Sequence, residues 1–373
     1  MTSRGPLQTL ALFAARTGLG LLGLTMAVVG GWGVLAMAIA GPGGETTQSA
    51  LAAGFGLLTL GALGTLWVRT WRWRAVAIYV LATGALFAWW QTLTPSNDRD
   101  WQEDVAVLPY ATLDGDAVTV HAIRNFDYRS ETDYTPAYYD RRFELSKLSG
   151  VDLIAVYWMG PAIAHIFVSF SFSDGEHLAI SIETRKEKGE GYSTLKGFFR
   201  QYETVYVVAD ERDVVRLRTN YRKDPPEQVF IYRLQGPLAN GRQLFLNYME
   251  EINALKQRPK FYNTLTTNCT TSIWQHARHN PGHPQFSWKM LASGYLPEYL
   301  YDIGRIDSTL PFPEVQRLAH VNERAQAADA AANFSQRIRE PLGLASMTPP
   351  VAARNPSAAP PAAVAVRLTR DLP

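Results

Sequence analysis

Cys269 is the only cysteine among 373 residues. A lone cysteine has no internal disulfide partner, so it is either a small buried hydrophobe or a thiol kept for chemistry. It stands in Tyr262-Asn263-Thr264-Leu265-Thr266-Thr267-Asn268-Cys269-Thr270-Thr271, a polar turn running into a helical stretch. Asn268 or Thr267 suits the N-cap of that helix, because a short polar side chain can accept from the free amides of the first turn. A thiol at such a helix start feels the positive end of the dipole. That position predicts a lowered pKa and a nucleophilic thiolate, with first-turn amides able to hold an oxyanion.

A cysteine nucleophile needs a base, usually histidine. Of the seven histidines, His276 shares a helical face with Cys269 but lies roughly 10 Å further along the axis, too far to take the proton. His279 and His283 flank the Asn280-Pro281-Gly282 turn and read as solvated loop residues. His165 opens the apolar run Ala164-His165-Ile166-Phe167-Val168-Ser169-Phe170 and is the better candidate, against its alternative as a satisfied core histidine. One strand later His177, Ala179, Ser181 and Glu183 share a face, so either Glu183 or His177 could orient the His165 ring.

The elements that must hold these groups are strands followed by helices. Ala117–Arg124, Val151–Tyr157, Ala164–Phe172 and His177–Arg185 are rich in β-branched and aromatic residues, and Asp174-Gly175 turns the last two into a hairpin. Further strands are predicted at Thr204–Ala209, Val214–Arg218 and Gln228–Arg233, and helices near Leu238–Lys256, Cys269–His279 and Trp288–Ile303. The class is α+β with a mainly antiparallel sheet. Glu183 and Arg185 stand out from a sign-alternating cluster that otherwise reads as a solvated edge. Asp210-Glu211-Arg212-Asp213 reads as a charged turn, and Arg124 and Tyr128 either line a cleft or brace the sheet.

Three runs near the N-terminus, Thr17–Ala40, Ala50–Val68 and Ala75–Leu93, carry no Asp, Glu, Lys, Arg or His. Each has about the 20 residues a helix needs to cross a hydrocarbon core. The first is too long for a signal peptide h-region, and Gly54, Gly56, Gly61 and Gly64 suit close helix packing in lipid. Residues 1–94 are therefore read as a membrane anchor with helices near 17–40, 50–68 and 75–93. Arg4 and Arg16 precede the first run and Arg69, Arg72 and Arg74 follow the second, whereas Gly41–Ser49 holds no basic residue. That asymmetry places the N-terminus in the cytoplasm and the chain after Leu93 outside the inner membrane.

Residues 98–320 form the outer domain, and 341–373, rich in Ala and Pro, read as a disordered tail. In an oxidising compartment an exposed idle thiol is a liability. The net charge of +2 comes with no basic patch of nucleic-acid character, no metal-ligand spacing and no phosphate-cradling glycine loop. No nucleic-acid partner, metal or cofactor is expected.

The motifs Arg124-Asn125-Phe126-Asp127-Tyr128-Arg129, His165-Ile166-Phe167-Val168-Ser169-Phe170, Ser181-Ile182-Glu183-Thr184-Arg185-Lys186, Asp210-Glu211-Arg212-Asp213 and Asn263 to Thr270 occur in this order. Together they resemble the N-terminal periplasmic domain family of Lnb, a bacterial lipoprotein N-acyltransferase, over roughly residues 98 to 305. The order of histidine on a strand and then cysteine on a helix is also similar to circularly permuted papain-like folds such as lecithin:retinol acyltransferase. The resemblance implies Cys269 as nucleophile, His165 as base and Glu183 as the third member. His177 is the alternative third member, and Asn268, Arg185, Arg124 and Tyr128 are supporting residues. It further implies a membrane-bound, periplasm-facing thiol acyltransferase with phospholipid or lipoprotein as substrate. A papain-like amidase or peptidase acting on peptidoglycan, and a non-enzymatic periplasmic scaffold, are the alternatives.

Overall fold

The computed structural model describes residues 6–340; the Ala/Pro-rich segment 341–373 lies outside them. Helices α1 (Pro6–Ala40), α2 (Glu45–Thr65) and α3 (Arg72–Thr92) are each long and apolar enough to cross a membrane. α1 and α2 approach most closely at Gly30, where any Cβ would collide with Thr59, and at Gly33, where it would collide with Phe55. Of the four glycines expected to serve this purpose, Gly56 lies against Val34 of α1, with a Cβ there 3.5 Å from its side chain, whereas Gly54, Gly61 and Gly64 meet nothing within 4 Å. Tyr79 ties α3 to α1 by donating to the Met26 carbonyl at 2.8 Å.

After α3 come the short α4 (Glu103–Ala106) and ten strands. These are β1 (Tyr110–Asp114), β2 (Ala117–Arg124), β3 (Asp127–Tyr128), β4 (Tyr134–Thr135), β5 (Tyr138–Glu144), β6 (Leu148–Tyr157), β7 (His165–Phe172), β8 (His177–Arg185), β9 (Glu203–Ala209) and β10 (Gln228–Arg233). Eight of them make one sheet in the order β1-β2-β9-β8-β7-β6-β10, with β5 also on β2. Only the β2–β9 contact is parallel. The fold is thus α+β with a mainly antiparallel sheet. β7 and β8 pair from Val168↔Ile180 to Ser171↔His177 and no further. β8 continues on β9 to Arg185↔Glu203, and β7 continues on β6 to Val156↔His165. The two strands have therefore separated at the His165 end.

Both faces of the sheet are covered. On one, Val168, Phe170, Ile180 and Ile182 pack against α7 (Leu238–Gln257) and α8 (Cys269–Ala277) through Phe245, Tyr248 and Ile273. On the other, Phe167, Ala179 and Val207 pack against α6 (Glu211–Arg216), α11 (Asn322–Ala327) and α12 (Phe334–Arg337) through Val214, Val215, Ala325 and Phe334. α5 (Thr194–Phe198) precedes β9; α9 (Leu296–Asp302) and α10 (Phe312–Ala319) follow α8.

Three readings of the sequence are corrected here. Val214–Arg218 is not a strand: Asp210 caps a helix by accepting from the Arg212 N–H, and the chain runs through α6 into a five-residue π-helical turn, Leu217–Tyr221. Trp288–Ile303 is not one helix but two 3-10 turns and then α9. Asp210-Glu211-Arg212-Asp213 is not a solvated turn, because Glu211 and Asp213 are fully buried. Asp213 is gripped by Arg124 at 2.7 Å, and Glu211 by Arg339 at 2.6 Å. Arg339 also binds Asp152 at 2.8 Å, so the packed domain extends to the end of α12 and beyond residue 320.

Candidate functional site

α8 begins where the sequence places it. The Asn268 side chain accepts from the Thr271 N–H at 2.8 Å, and the Thr271 hydroxyl accepts from the Asn268 N–H at 3.0 Å, a complete capping box. Asn268 Nδ2 also donates to the Thr264 carbonyl, bracing the turn ahead of the helix. The cap consumes the Thr271 amide. Those of Cys269 and Thr270 are left directed at the sulfur, and the Ile166 N–H of β7 faces it from the sheet.

The helix start does not make the thiol acidic. Burial pushes the Cys269 pKa up, and the Ile166, Thr270 and Cys269 amides together with the Thr270 hydroxyl pull it down by less. The expected lowering therefore fails: desolvation outweighs the amides and hydroxyl at the start of α8. Thr270 Oγ1, 4.0 Å away, is the thiol's hydrogen-bond contact.

His165 is tied in the opposite direction. Its Nε2 lies 2.7 Å from Ser181 Oγ, Ser181 Oγ donates to Glu183 Oε1 at 2.7 Å, and Arg218 donates to the same oxygen at 2.9 Å. The direct separation of His165 Nε2 and Glu183 Oε1 is 3.8 Å. Because Ser181 spends its proton on the carboxylate, it accepts from His165. The ring is then protonated on Nε2 and presents its lone pair on Nδ1. Burial and the neighbouring Arg218 charge bring the His165 pKa down to about 3, against the pull of Glu183. For Glu183 burial acts upward, but Arg218, His165, Arg124 and the Ser181 bond outweigh it and hold the carboxyl well below the usual range. The free site therefore rests as neutral thiol, neutral imidazole and carboxylate.

Register explains how the two halves meet. His165, Phe167 and Ser169 face α6, with the His165 and Phe167 rings 5.7 Å apart and Ser169 bonded to Glu211. Ile166 and Val168 face the α8 side. The Cys269 sulfur thus reaches the sheet at the peptide next to His165, where β7 and β8 have parted. Sulfur and ring are not hydrogen-bonded.

Residues 134–294 match the family model described as the Lnb N-terminal periplasmic domain. The match covers less than half of the chain; together with the three apolar helices it supports a membrane protein with a periplasmic domain similar to that of Lnb. No curated protein and no solved structure matches the chain. The Lnb match contains His165, His177, Glu183, Arg185, Asn268 and Cys269 but begins after the Arg124–Arg129 motif.

Four of the expected site residues sit away from the thiol. His177 closes the far end of the β7–β8 hairpin, with Nδ1 3.0 Å from the Gly175 carbonyl oxygen. Six residues of strand, about 20 Å, separate it from Glu183, so it does not orient His165. Arg185, two residues past Glu183 on β8, is engaged elsewhere, donating to the Val105 and Ala106 carbonyls and to Asn97 and lying 4.3 Å over the Trp101 ring. Arg124 and Tyr128 close on Asp213 and brace the sheet. Ser181 and Arg218 were missed. Alternation on β8 puts Ser181 beside Glu183, a usable signal; Arg218 is delivered by the π-helical turn, which no sequence pattern announced.

Behind α8 lies a cavity of about 140 Å³ bounded by Val151, Leu153, Val168, Leu244, Ile273 and Trp274, with Thr270 at its wall. Its lining is almost wholly apolar, the character of a site for hydrocarbon rather than water. Among the described residues no cluster of His, Cys, Asp and Glu is arranged to hold a metal ion.

Proposed function

We propose that this protein is a periplasm-facing thiol acyltransferase of the bacterial inner membrane, with its N-terminus in the cytoplasm, acting on phospholipid and lipoprotein. Its outer domain is read as a permuted papain-like unit in which Cys269 is the nucleophile, His165 the base and Glu183 the orienting acid acting through Ser181. The observation that carries this reading is the convergence on one peptide. The His165 ring is anchored to Ser181 and Glu183, and the adjoining Ile166 N–H faces the Cys269 sulfur.

His165 Nδ1 takes the thiol proton as sulfur attacks the acyl ester carbonyl. The S–C bond forms, the C–O bond breaks, and the proton passes to the departing alkoxide. An amine, such as the N-terminus of a lipoprotein, then attacks the thioester. The N–C bond forms, the C–S bond breaks, and the amine proton returns through His165 to sulfur. The Cys269 and Thr270 amides suit the tetrahedral oxyanion, since the cap leaves them free. The apolar cavity beside Thr270 favours an acyl donor over a muropeptide. In the free protein the ring must move toward the parted strands to meet the sulfur, and apo contacts of catalytic pairs are commonly loose.

The test is to incubate purified protein with radiolabelled phospholipid and an acceptor peptide bearing a free N-terminal amine, and in parallel with muropeptides. A hydroxylamine-sensitive acyl adduct on the wild type and none on Cys269→Ala is the expected result. Cleavage of muropeptides alone would instead establish an amidase.

A further inference from the structure

The end of α3 is locked to the outer domain one residue beyond α5. Phe199, only 4 % exposed, packs its ring 6.1 Å from that of Trp90. Arg200 donates to the Trp90 carbonyl at 2.7 Å and lies 5.0 Å over the Trp90 ring. Trp89 and Trp90 close a helix of membrane-crossing length, and tryptophans at such ends mark the level of the lipid headgroups. Phe199 therefore sits at that level, and so does the short helix it terminates.

α5 and its surroundings expose apolar bulk that the fold leaves uncovered. Tyr192 is 54 % exposed, Leu195 46 %, Phe198 39 % and Leu265 51 %. Leu265 belongs with the other three because Thr264 is bonded to both ends of α5: its N–H donates to the Gly197 carbonyl at 3.4 Å and its hydroxyl to that of Thr194 at 2.9 Å. Lys196 is the one charged residue of α5, and a long cationic side chain can keep its ammonium in the headgroup layer while its stem lies on apolar surface.

We propose that Tyr192, Leu195, Phe198 and Leu265 form a membrane-dipping surface seated in the leaflet that α3 leaves. The occupant of this apolar patch is the bilayer itself, because the patch is continuous with the Trp90–Phe199 contact at the end of a membrane-length helix. Leu265 precedes Cys269 by four residues, a chain reach of at most about 14 Å. The surface thus keeps the start of α8 at the lipid boundary. This placement rests on the apolar helices and the contacts of α5, not on the catalytic reading, and is read without turnover.

The experiment uses the full chain with Cys269→Ser, reconstituted in phosphatidylcholine and phosphatidylglycerol vesicles and carrying a bimane label at Leu195→Cys, Leu265→Cys or, as control, Asp174→Cys in the β7–β8 turn. The expected result is loss of emission at the first two positions when the lipids are brominated high in the acyl chain, with protection there from aqueous iodide. The control should behave oppositely. Labels at Leu195→Cys and Leu265→Cys that iodide quenches as fully as the control would overturn the proposal. Labels sheltered from both quenchers would also overturn it, by assigning the patch to a protein partner.

Discussion

The His165 ring meets Ser181 before it meets Glu183: Nε2 lies 2.7 Å from the Ser181 hydroxyl and 3.8 Å from the carboxylate. The acid acts on the ring through a hydroxyl, which fixes the tautomer while leaving the ring without a full ionic partner. Ser181→Ala should therefore lower acyl transfer by about tenfold, the worth of one well-formed hydrogen bond, while leaving the fold intact. Glu183→Gln should cost more, because Arg218 is then left beside a neutral amide. Single-turnover rates of the two variants check this ordering; equal losses would mean that Ser181 is only a spacer.

The depressed His165 pKa has a consequence for acid stability. The folded value of about 3 lies below the ordinary 6.5, so on acidification the unfolded chain binds the proton first. Stability from this residue is fully present above about pH 6.5 and is lost as pH falls toward 3, at up to about 1.4 kcal/mol per pH unit. His276, brought down to about 4 by burial, contributes in the same sense. We expect His165→Gln to flatten the fall of Tm between pH 6 and 4 measured in detergent. An unchanged acid slope would place the ring in water.

A thiol raised by burial beside a neutral imidazole should not exist as an ion pair in the free protein. Alkylation of Cys269 by iodoacetamide is expected to be slow at pH 7 and to rise with a midpoint above that of an ordinary thiol. His165→Gln should leave that midpoint in place. A low midpoint that disappears in His165→Gln would reveal a preformed thiolate–imidazolium pair and contradict the resting state described above.

Arg339 joins Asp152 and Glu211 in the interior, with both carboxylates buried. Removing it leaves Glu211 a buried charge with no ionic partner among the described residues, while Asp152 keeps Arg233 at 2.6 Å. Arg339→Ala should destabilise the outer domain by about 3 to 5 kcal/mol. Limited proteolysis across a urea series would show it, and a midpoint matching the wild type would mean that the ion cluster is not needed.

The hairpin of β7 and β8 was legible because Asp174-Gly175 marks the turn and the flanking residues alternate. The start of α8 was legible because Asn268 and Thr271 form a local capping pair. Glu211 and Asp213 were not, because what converts a charged turn into a core element is Arg339, 128 residues away, and Arg124, 89 residues away. Val214 and Val215 look like strand residues, yet the Asp210 cap and burial between sheet and α11 make them helical. The thiol's environment was misjudged for a related reason: dipole direction follows from sequence, whereas desolvation depends on what packs on top. His177 and Arg185 share a strand with Glu183, and strand periodicity gives their faces without saying how far along the sheet the chemistry lies.

The parting of β7 and β8 at His165 gives the site a mechanical character. Three residues of β7, His165 to Phe167, are laced on the β6 side alone, so this corner of an otherwise tightly sewn sheet can breathe without unravelling the rest. Amide hydrogen exchange at Ile166 would then act as a built-in occupancy gauge. It should be fast while the corner is empty and slow once an acyl group on Cys269 wedges it still.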